Sequence, residues 1–392
     1  MNTFKKVAAL ALAIASSAAA GQEIKIAFQC PLTGGSSPFG VSALAGAKLA
    51  LQEVNAKGGV LGRKLQLIER DTEAKNERGV QLAQEMIQKE RVAAGIGFCN
   101  TGVSLAAQKY YQEAKIPVID VVATGTAVTR QFNSPEHTHS YVFRVGARDE
   151  LQAAMIVDEA IRQKKSKFAI LADSTNYGQL GREDLEKAIA AKGLKPVVVE
   201  KFNVKDVDMT PQLLKARTAG ADIVLAYGIG PELAQIANSM AKLGWKVPML
   251  TSWNSAMSNF IDTALTNGNG VRMPQTFIQE ASGGRQAGFI QAYQKAYNVE
   301  RIPSPSSAAQ AYDGVLLIAA AIQQAGSTDG PKVREALENL RQPVEGVIAT
   351  YQRPFTAENH DATTGNMIVW GEVRDGKVVY AYDNERQRGK AK

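Results

Sequence analysis

A strand, a helix and a second strand follow one another near the start of the chain, and this pattern limits the possible folds most. The apolar run at 24–28 leads into a loop of small residues at 33–40. Apolar residues then recur at helical spacing over 41–54. A glycine-rich turn at 55–63 precedes a second apolar run at 65–68. A right-handed crossover makes such strands parallel, which predicts an open α/β sheet with its ligand at the carboxyl ends of the strands.

The same alternation continues along the chain. In a first group the pattern predicts helices at 76–88 and 101–114 and strands at 92–98 and 116–119. In a second group it predicts strands at 168–171, 197–202, 222–227 and 247–250 and helices at 181–191 and 231–243, with a further helix opened by Pro211. Helices at 306–325 and 332–340 are expected to cover the first group. Asp375-Gly376 predicts a hairpin between 367–373 and 377–382.

With 392 residues, the chain is longer than one typical core, so we expect two domains. The predicted fold is α/β, with two doubly wound parallel-sheet lobes joined by a three-segment hinge. Residues 21–142 and 275–347 form the first lobe, and residues 143–274 and 348–392 form the second. Three crossings between two lobes leave a cleft that closes around a ligand by a hinge motion.

The first twenty residues have the features of a secretory signal peptide. Lys5 and Lys6 precede an apolar run at 7–14, and small residues lead to a cut expected after Ala20. A membrane anchor is the alternative, but the run is shorter than the ~20 residues that span a bilayer. Gly21 follows the cut, so no cysteine stands there to carry a lipid. We therefore expect an exported protein, located in the periplasm of a two-membrane bacterium.

Charge and histidine content argue against several classes of function. The formal charge is +7, but Lys and Arg are scattered without a basic stripe, so we expect no nucleic-acid partner. His137 and His139 lie in a polar loop without a third ligand nearby, and His360 stands alone, so we expect no metal. The sequence contains no nucleophile elbow or phosphate loop, which predicts a protein that is not an enzyme and has no cofactor.

Two cysteines end neighbouring strands. Cys30 closes the first strand and Cys99 follows the third, and these strands are adjacent in a doubly wound sheet of order 2-1-3. An exported protein favours a disulfide at this position, beside the ligand site. Two buried free thiols are the alternative, because reduced cysteine packs as a small apolar residue.

The segment Asn100-Thr101-Gly102 joins a buried strand to the start of a helix. A helix amino terminus offers free N–H groups, and these bind a carboxylate without a buried lysine. A plain helix cap is the alternative interpretation of the same residues.

A family resemblance runs through most of the chain. It rests on Pro31-Leu32-Thr33-Gly34, Phe39-Gly40, Gly46 and the spacing Asn55…Gly58-Gly59…Gly62, with matching blocks further along. On these residues the chain resembles the periplasmic binding proteins that serve branched-chain amino acid ABC importers. The resemblance implies a type I periplasmic binding protein fold, a small carboxylate ligand, a membrane permease as partner, and a monomer.

The resemblance also implies a set of ligand contacts. Asn100, Thr101 and Gly102 are expected to hold the ligand carboxylate, and Ala123 and Thr124 its polar end. The residues expected to enclose the rest of the ligand are Phe39, Tyr177, Ile229, Trp253 and Asn254.

One loop departs from the family pattern. Relatives that bind amino acids place an acidic residue after the strand at 247–250, to face the ligand ammonium, but here residues 251–255 contain no acid. Either Asp120 or Glu280 replaces it from another loop, or the ligand has no amino group. We therefore expect a branched-chain or other hydrophobic amino acid, with an aromatic or aliphatic carboxylate as the alternative. A ligand-sensing receptor module is the alternative class of function.

Overall fold

The computed structural model describes residues 22–133, 137–280 and 283–390. The predicted signal peptide at 1–20 lies outside them. Within the described ranges, no helix combines the length and the apolar composition that a membrane span requires.

The described elements alternate as the sequence predicts. The strands are β1 (Ile24–Cys30), β2 (Leu65–Asp71), β3 (Ala94–Gly97), β4 (Val118–Asp120), β5 (Val142–Arg144), β6 (Phe168–Asp173), β7 (Val198–Phe202), β8 (Ile223–Tyr227), β9 (Met249–Thr251), β10 (Arg272–Gln275), β11 (Val344–Glu345), β12 (Thr350–Tyr351), β13 (Val369–Arg374) and β14 (Lys377–Tyr380). The helices are α1 (Ser37–Ala56), α2 (Asn76–Glu85), α3 (Thr101–Glu113), α4 (Ala127–Arg130), α5 (Asp149–Arg162), α6 (Asn176–Ala190), α7 (Thr210–Thr218), α8 (Gly230–Lys242), α9 (Ser258–Ala264), α10 (Gly284–Tyr297), α11 (Pro305–Ala325), α12 (Gly330–Glu338) and α13 (Asp383–Lys390).

Two large sheets form the cores of two lobes. The first has the order β2-β1-β3-β4-β5, and all of its strands are parallel. The second has the order β14-β13-β10-β9-β8-β6-β7. Five of its strands, β10, β9, β8, β6 and β7, are parallel to one another. The hairpin β13–β14 adds an antiparallel pair at one edge, with β13 next to β10. The predicted fold class, two doubly wound α/β lobes, is confirmed.

The lobe boundaries predicted at 142/143, 274/275 and 347/348 stay a prediction. Strand β5 continues to Arg144 in the first sheet, and strand β10 ends at Gln275 in the second. A third connecting segment runs beside β5, since the Arg144 N–H donates to the His360 carbonyl at 2.9 Å. The Ala362 N–H donates in turn to the Arg144 carbonyl at 2.9 Å. These bonds tie the end of the first sheet to a chain segment that leads into β13.

Several helices were missing from the sequence prediction. Helices α5 and α10 carry apolar residues at helical spacing, such as Ile156 and Ala160 in α5 and Phe289 and Tyr293 in α10, and these residues are buried. This spacing is a helical signal in the sequence itself. Helices α9 and α13 are short, with seven and eight residues, and give a weaker signal.

The structure joins Cys30 and Cys99 in a disulfide, with 5.2 Å between their Cα atoms. Strands β1 and β3 are neighbours in the sheet, and both cysteines lie at the carboxyl ends of these strands. Of the two alternatives left open by the sequence, the structure therefore contains the cross-link.

Helices α1 and α11 pack so closely that a glycine is required where they cross. A Cβ atom added to Gly46 would lie 2.0 Å from the carbonyl oxygen of Ala308. We therefore expect Gly46→Ala to push the helices apart and to lower the free energy of unfolding by about 1–3 kcal/mol. Urea unfolding measures this difference.

Gly288→Ala is the matched control, because Gly288 also lies in a helix but a Cβ there meets nothing within 4 Å. That change is expected to raise the free energy of unfolding by about 0.5–1 kcal/mol, since alanine favours helix over the unfolded chain. Equal effects of the two substitutions would contradict the packing argument.

Candidate functional site

A cavity of ≈ 540 Å³ lies between the two lobes. Its first-lobe walls are the segments that follow β1, β2, β3 and β4, and its second-lobe walls follow β6, β7, β8 and β9. Each wall therefore begins at the carboxyl end of a parallel strand. This is the edge at which open α/β sheets bind ligands.

The structure brings nearly all of the predicted site residues to this one cavity. The residues of the set that line it are Phe39, Asn100, Thr101, Gly102, Thr124, Tyr177, Ile229, Trp253 and Asn254. Ala123 differs from them, because its side chain is packed in the first-lobe core and its N–H donates to the Phe98 carbonyl at 2.9 Å. A ligand contact through the Ala123 carbonyl stays a prediction.

The start of α3 presents backbone donors to the cavity. Asn100 has extended backbone angles before the helix, and no side chain caps its first turn. The Thr101 hydroxyl instead accepts a hydrogen bond from the Gly125 N–H at 3.2 Å, which links the helix start to the loop after β4. The first turn contains no acidic side chain. Its N–H groups and the helix dipole are thus available to an anion.

The lobes touch each other around the cavity. The rings of Phe39 and Trp253 stack across the cleft, with centroids 5.0 Å apart and planes inclined by 24°. At the rim, the Asn259 side-chain amide donates to the Gly35 carbonyl at 2.8 Å. A Cβ on Gly102 would lie 2.8 Å from the Asn176 amide oxygen of the opposite lobe. The glycine at the start of α3 therefore permits this closed arrangement.

Five polar side-chain atoms in the cavity wall are buried without a hydrogen-bond partner among the described residues. They are Asn100 Oδ1, Thr124 Oγ1, Tyr177 Oη, Trp253 Nε1 and Asn254 Oδ1. Most buried polar atoms in folded proteins are paired. A group of unpaired donors and acceptors in one cavity is what a polar ligand would satisfy.

The cavity wall also contains charged side chains. Lys75 forms an ion pair with Glu73 at 2.7 Å, and both are exposed. Glu232 is buried, and its carboxylate accepts a hydrogen bond from the Lys205 N–H at 2.7 Å. The aromatic and amide residues deeper in the cleft carry no charge.

Neither acid that the sequence offered as a substitute partner for an ammonium group lies at the cavity. Asp120 is fully buried beneath α3, where it accepts a hydrogen bond from the Ser104 hydroxyl at 2.7 Å. Glu280 forms an ion pair with Arg386 at 2.8 Å and lines a separate groove. The suggestion that either one faces the ligand is therefore wrong for this arrangement of the chain.

Sequence analysis missed one acid close to the cavity. Asp149 is the first residue of α5 and is fully buried behind Thr124. Burial raises the pKa of Asp149 to about 7, against the opposing effect of the Thr124 and Tyr227 hydroxyls and of Arg144. An acid at the start of a helix is common, so the sequence alone did not distinguish it.

Arg144 fixes the loop that carries Thr124. Its guanidinium donates to the carbonyls of Thr124 at 2.9 Å and Gly125 at 2.7 Å, and forms an ion pair with Asp361 at 2.6 Å. Arg148 also contacts Asp361, at 3.0 Å. These neighbours hold the pKa of Asp361 below its usual value even though burial acts to raise it.

The histidines lie elsewhere. His360 is buried, with Nδ1 2.8 Å from the Val142 carbonyl and Nε2 3.2 Å from Glu338. His137 contacts the Phe132 ring edge-on. Across the residues that the structure describes, no group of three or more His, Cys, Asp or Glu is placed to hold a metal.

Comparisons with known proteins agree with this architecture. A family model described as "Periplasmic binding protein" matches residues 23–377. A Leu/Ile/Val-binding protein homolog from Brucella melitensis is 26% identical over 373 residues, which is 95% of this chain and 97% of that protein.

Solved structures show the same fold. The crystal structure of a type 1 periplasmic binding protein from Bordetella pertussis has a TM-score of 0.82 at 26% identity, covering 92% of this chain and 99% of that one. The branched-chain amino acid binding protein LivJ from Streptococcus pneumoniae, in complex with isoleucine, has a TM-score of 0.79 at 22% identity. That match covers 91% of this chain and 98% of the LivJ chain.

Proposed function

This chain belongs to the periplasmic binding protein family, and on that basis we propose that it is the periplasmic substrate-binding protein of an ABC importer. Its ligand would be a small carboxylate, in the first place a branched-chain or other hydrophobic amino acid. The observation that carries this proposal is the cavity between the lobes, with free helix N–H groups on one wall and buried unpaired polar atoms around it.

The two ends of the cavity suit the two parts of such a ligand. Its carboxylate would accept hydrogen bonds from the N–H groups at the start of α3, beside Asn100 and Thr101. Its apolar part would lie against Phe39, Ile229 and Trp253, which come from both lobes. Because contacts to both lobes exist together only when the cleft is closed, the ligand stabilises the closed form. A membrane permease would recognise that closed form.

The aromatic wall provides a direct test. We expect Trp253→Ala to weaken binding of the best ligand by at least about tenfold, since a buried aromatic contact contributes more than 1 kcal/mol. Calorimetric titration with leucine, isoleucine, valine, 4-methylpentanoate and benzoate would identify that ligand. Trp245→Ala is the matched control, because Trp245 lies on another surface of the second lobe. If none of these carboxylates binds, the proposed ligand class is wrong.

An amine-free carboxylate is the second candidate ligand. It is favoured by the loop at 251–255, which contains no acid, and by the flat Trp253 ring. In the same titration, this candidate predicts that benzoate or 4-methylpentanoate binds more tightly than leucine.

A further inference from the structure

We infer that Asp149 is the specificity-determining acid of this cleft, and that it selects a ligand with an ammonium group by acting through the hydroxyls of Thr124 and Tyr177. This inference rests on the proposed function, because it concerns the ligand of the same cavity. It assigns to Asp149 the charge that the loop at 251–255 lacks.

The position of Asp149 is fixed by its backbone and by one side-chain bond. Its N–H donates to the Thr124 carbonyl at 2.9 Å, so the start of α5 is attached to the cavity loop. One carboxyl oxygen, Oδ1, accepts a hydrogen bond from the Gln152 amide at 3.1 Å. The other, Oδ2, is buried without a hydrogen-bond partner among the described residues. This leaves half of the acceptor capacity of the carboxylate unused.

Three hydroxyl groups lie near the Asp149 carboxyl group. Thr124 and Tyr227 lie close enough to Asp149 to lower its pKa, and Asp149 lies close enough to Tyr177 to raise the pKa of that phenol further above its usual value. The rings of Tyr177 and Tyr227 have centroids 5.1 Å apart. In the described parts of the chain, none of the three hydroxyls has a partner at hydrogen-bonding geometry. The acid and the hydroxyls thus form one buried polar cluster.

The cluster has an inner and an outer layer relative to the ligand. Thr124 and Tyr177 line the cavity, whereas Asp149 and Tyr227 lie behind them. The side chain of Asp149 therefore acts on a ligand through the first two residues and does not need to touch it.

The charge of Asp149 decides which way these hydroxyls point. A carboxylate only accepts hydrogen bonds, so it attracts the Thr124 hydroxyl hydrogen and leaves the oxygen lone pairs toward the cavity. Thr124 and Ser252 in turn lie close enough to the Tyr177 phenol to lower its pKa. Lone pairs backed by a negative charge suit an ammonium group, which has three donors and no acceptor. They do not suit a second carboxylate.

The charged side chains around Asp149 make their hydrogen bonds to other groups. Arg144, from β5, directs its hydrogen bonds to Asp361 and to the carbonyls of Thr124 and Gly125. Asp184, from α6, accepts a hydrogen bond from the Thr126 hydroxyl at 2.6 Å. The phenols of Tyr177 and Tyr227 lie beside Asp149 as well, and the buried Asp173 carboxyl group lies close to Tyr177. Arg144 therefore acts on Asp149 through its charge and not through a hydrogen bond, and an ammonium ligand would add a second cation.

The test compares leucine with 4-methylpentanoate, which is the same ligand without its amino group. For Asp149→Asn we expect leucine affinity to fall about 10- to 100-fold, the range typical of a hydrogen bond to a charged group. The affinity for 4-methylpentanoate should change less than about threefold, since its contacts do not involve the charge. Asp158→Asn is the matched control, because Asp158 lies on the same helix in an exposed ion pair with Lys192, and it should leave the ratio of the two affinities unchanged.

The release of a proton on leucine binding is a second measurement. A purely structural role of Asp149 would not cause such a release. An ammonium ligand favours the charged form of Asp149, so leucine binding near pH 7 should release part of a proton and should strengthen from pH 6 to pH 8. Titration of the unmodified protein in buffers of different ionisation enthalpy measures this release. It needs no variant, so the inference stays testable even if Asp149→Asn does not fold.

Three results would overturn the inference while the proposed function stands. They are tighter binding of 4-methylpentanoate than of leucine, equal losses for both ligands in Asp149→Asn, and leucine binding without proton release. Failure of every small carboxylate to bind would instead overturn the proposed function itself.

Discussion

Arg144→Met is expected to lower the free energy of unfolding by about 3–5 kcal/mol, the cost of breaking a buried ion pair by removing one partner. Arg144 is completely buried. Its removal weakens the pairing of Asp361 and leaves the Thr124 and Gly125 carbonyls without their donor. Because those carbonyls belong to the cavity loop, ligand binding should weaken as well. Urea unfolding and ligand titration of the same variant measure the two effects.

The loss of unfolding free energy in Arg144→Met should depend on pH in a defined direction. The pKa of Asp361 is held below its unfolded value, so its contribution to stability is present above the unfolded pKa and disappears as pH falls through the folded pKa. The deficit of Arg144→Met should therefore be largest near neutral pH and should shrink at pH 3. Arg130→Met is the matched control, because Arg130 forms a half-exposed ion pair with Glu150 and its loss should cost less than about 1 kcal/mol. Similar losses in both variants would contradict the role given to Arg144.

Loss of the Cys30–Cys99 disulfide is expected to lower the free energy of unfolding by about 4 kcal/mol. The bond closes a loop with a sequence separation of 69 residues, and the chain-entropy relation gives about 4 kcal/mol for a loop of that length. Cys99 also lines the cavity, so the reduced protein should bind its ligand less tightly. Urea unfolding with and without a reductant measures the stability effect.

The double variant Cys30→Ala/Cys99→Ala separates the cross-link from the packing of the sulfur atoms. Its unfolding midpoint should not respond to reductant, and it should lie close to that of the reduced unmodified protein. A midpoint of the unmodified protein that is equally insensitive to reductant would show that the bond does not form in solution.

The elements that the sequence predicted well are those with a strong local signal. The turn Asp375-Gly376 connects β13 and β14 as expected, and both of its residues have positive φ, 49° and 74°. The sequence predicts a helix at 181–191, whereas α6 begins five residues earlier, at Asn176. In the structure Gly178 lies within the helix, where a Cβ atom would be 2.3 Å from the Asp173 carbonyl. That requirement depends on how the helix packs on β6 and is invisible in the local pattern.

The residues of the cavity also differ in how strong a signal each has in the local sequence. Asn100 and Trp253, which the family resemblance implies as ligand contacts, both line the cavity, and both follow parallel strands whose carboxyl ends meet at one edge. Asp149 has no such local signal, since its proximity to Tyr177 and Tyr227 arises only when α5, the start of α6 and the end of β8 pack together in the second lobe.

The packing of α11 against α1 has a consequence for how the protein folds. The Ser304 N–H donates to the Ser42 hydroxyl at 2.9 Å, and these residues are 262 positions apart. Contacts between such distant residues require a large loss of chain entropy before they form, which slows folding. The first core cannot be completed until most of the polypeptide has been synthesised. A newly made chain would therefore remain open for longer than one built from local contacts.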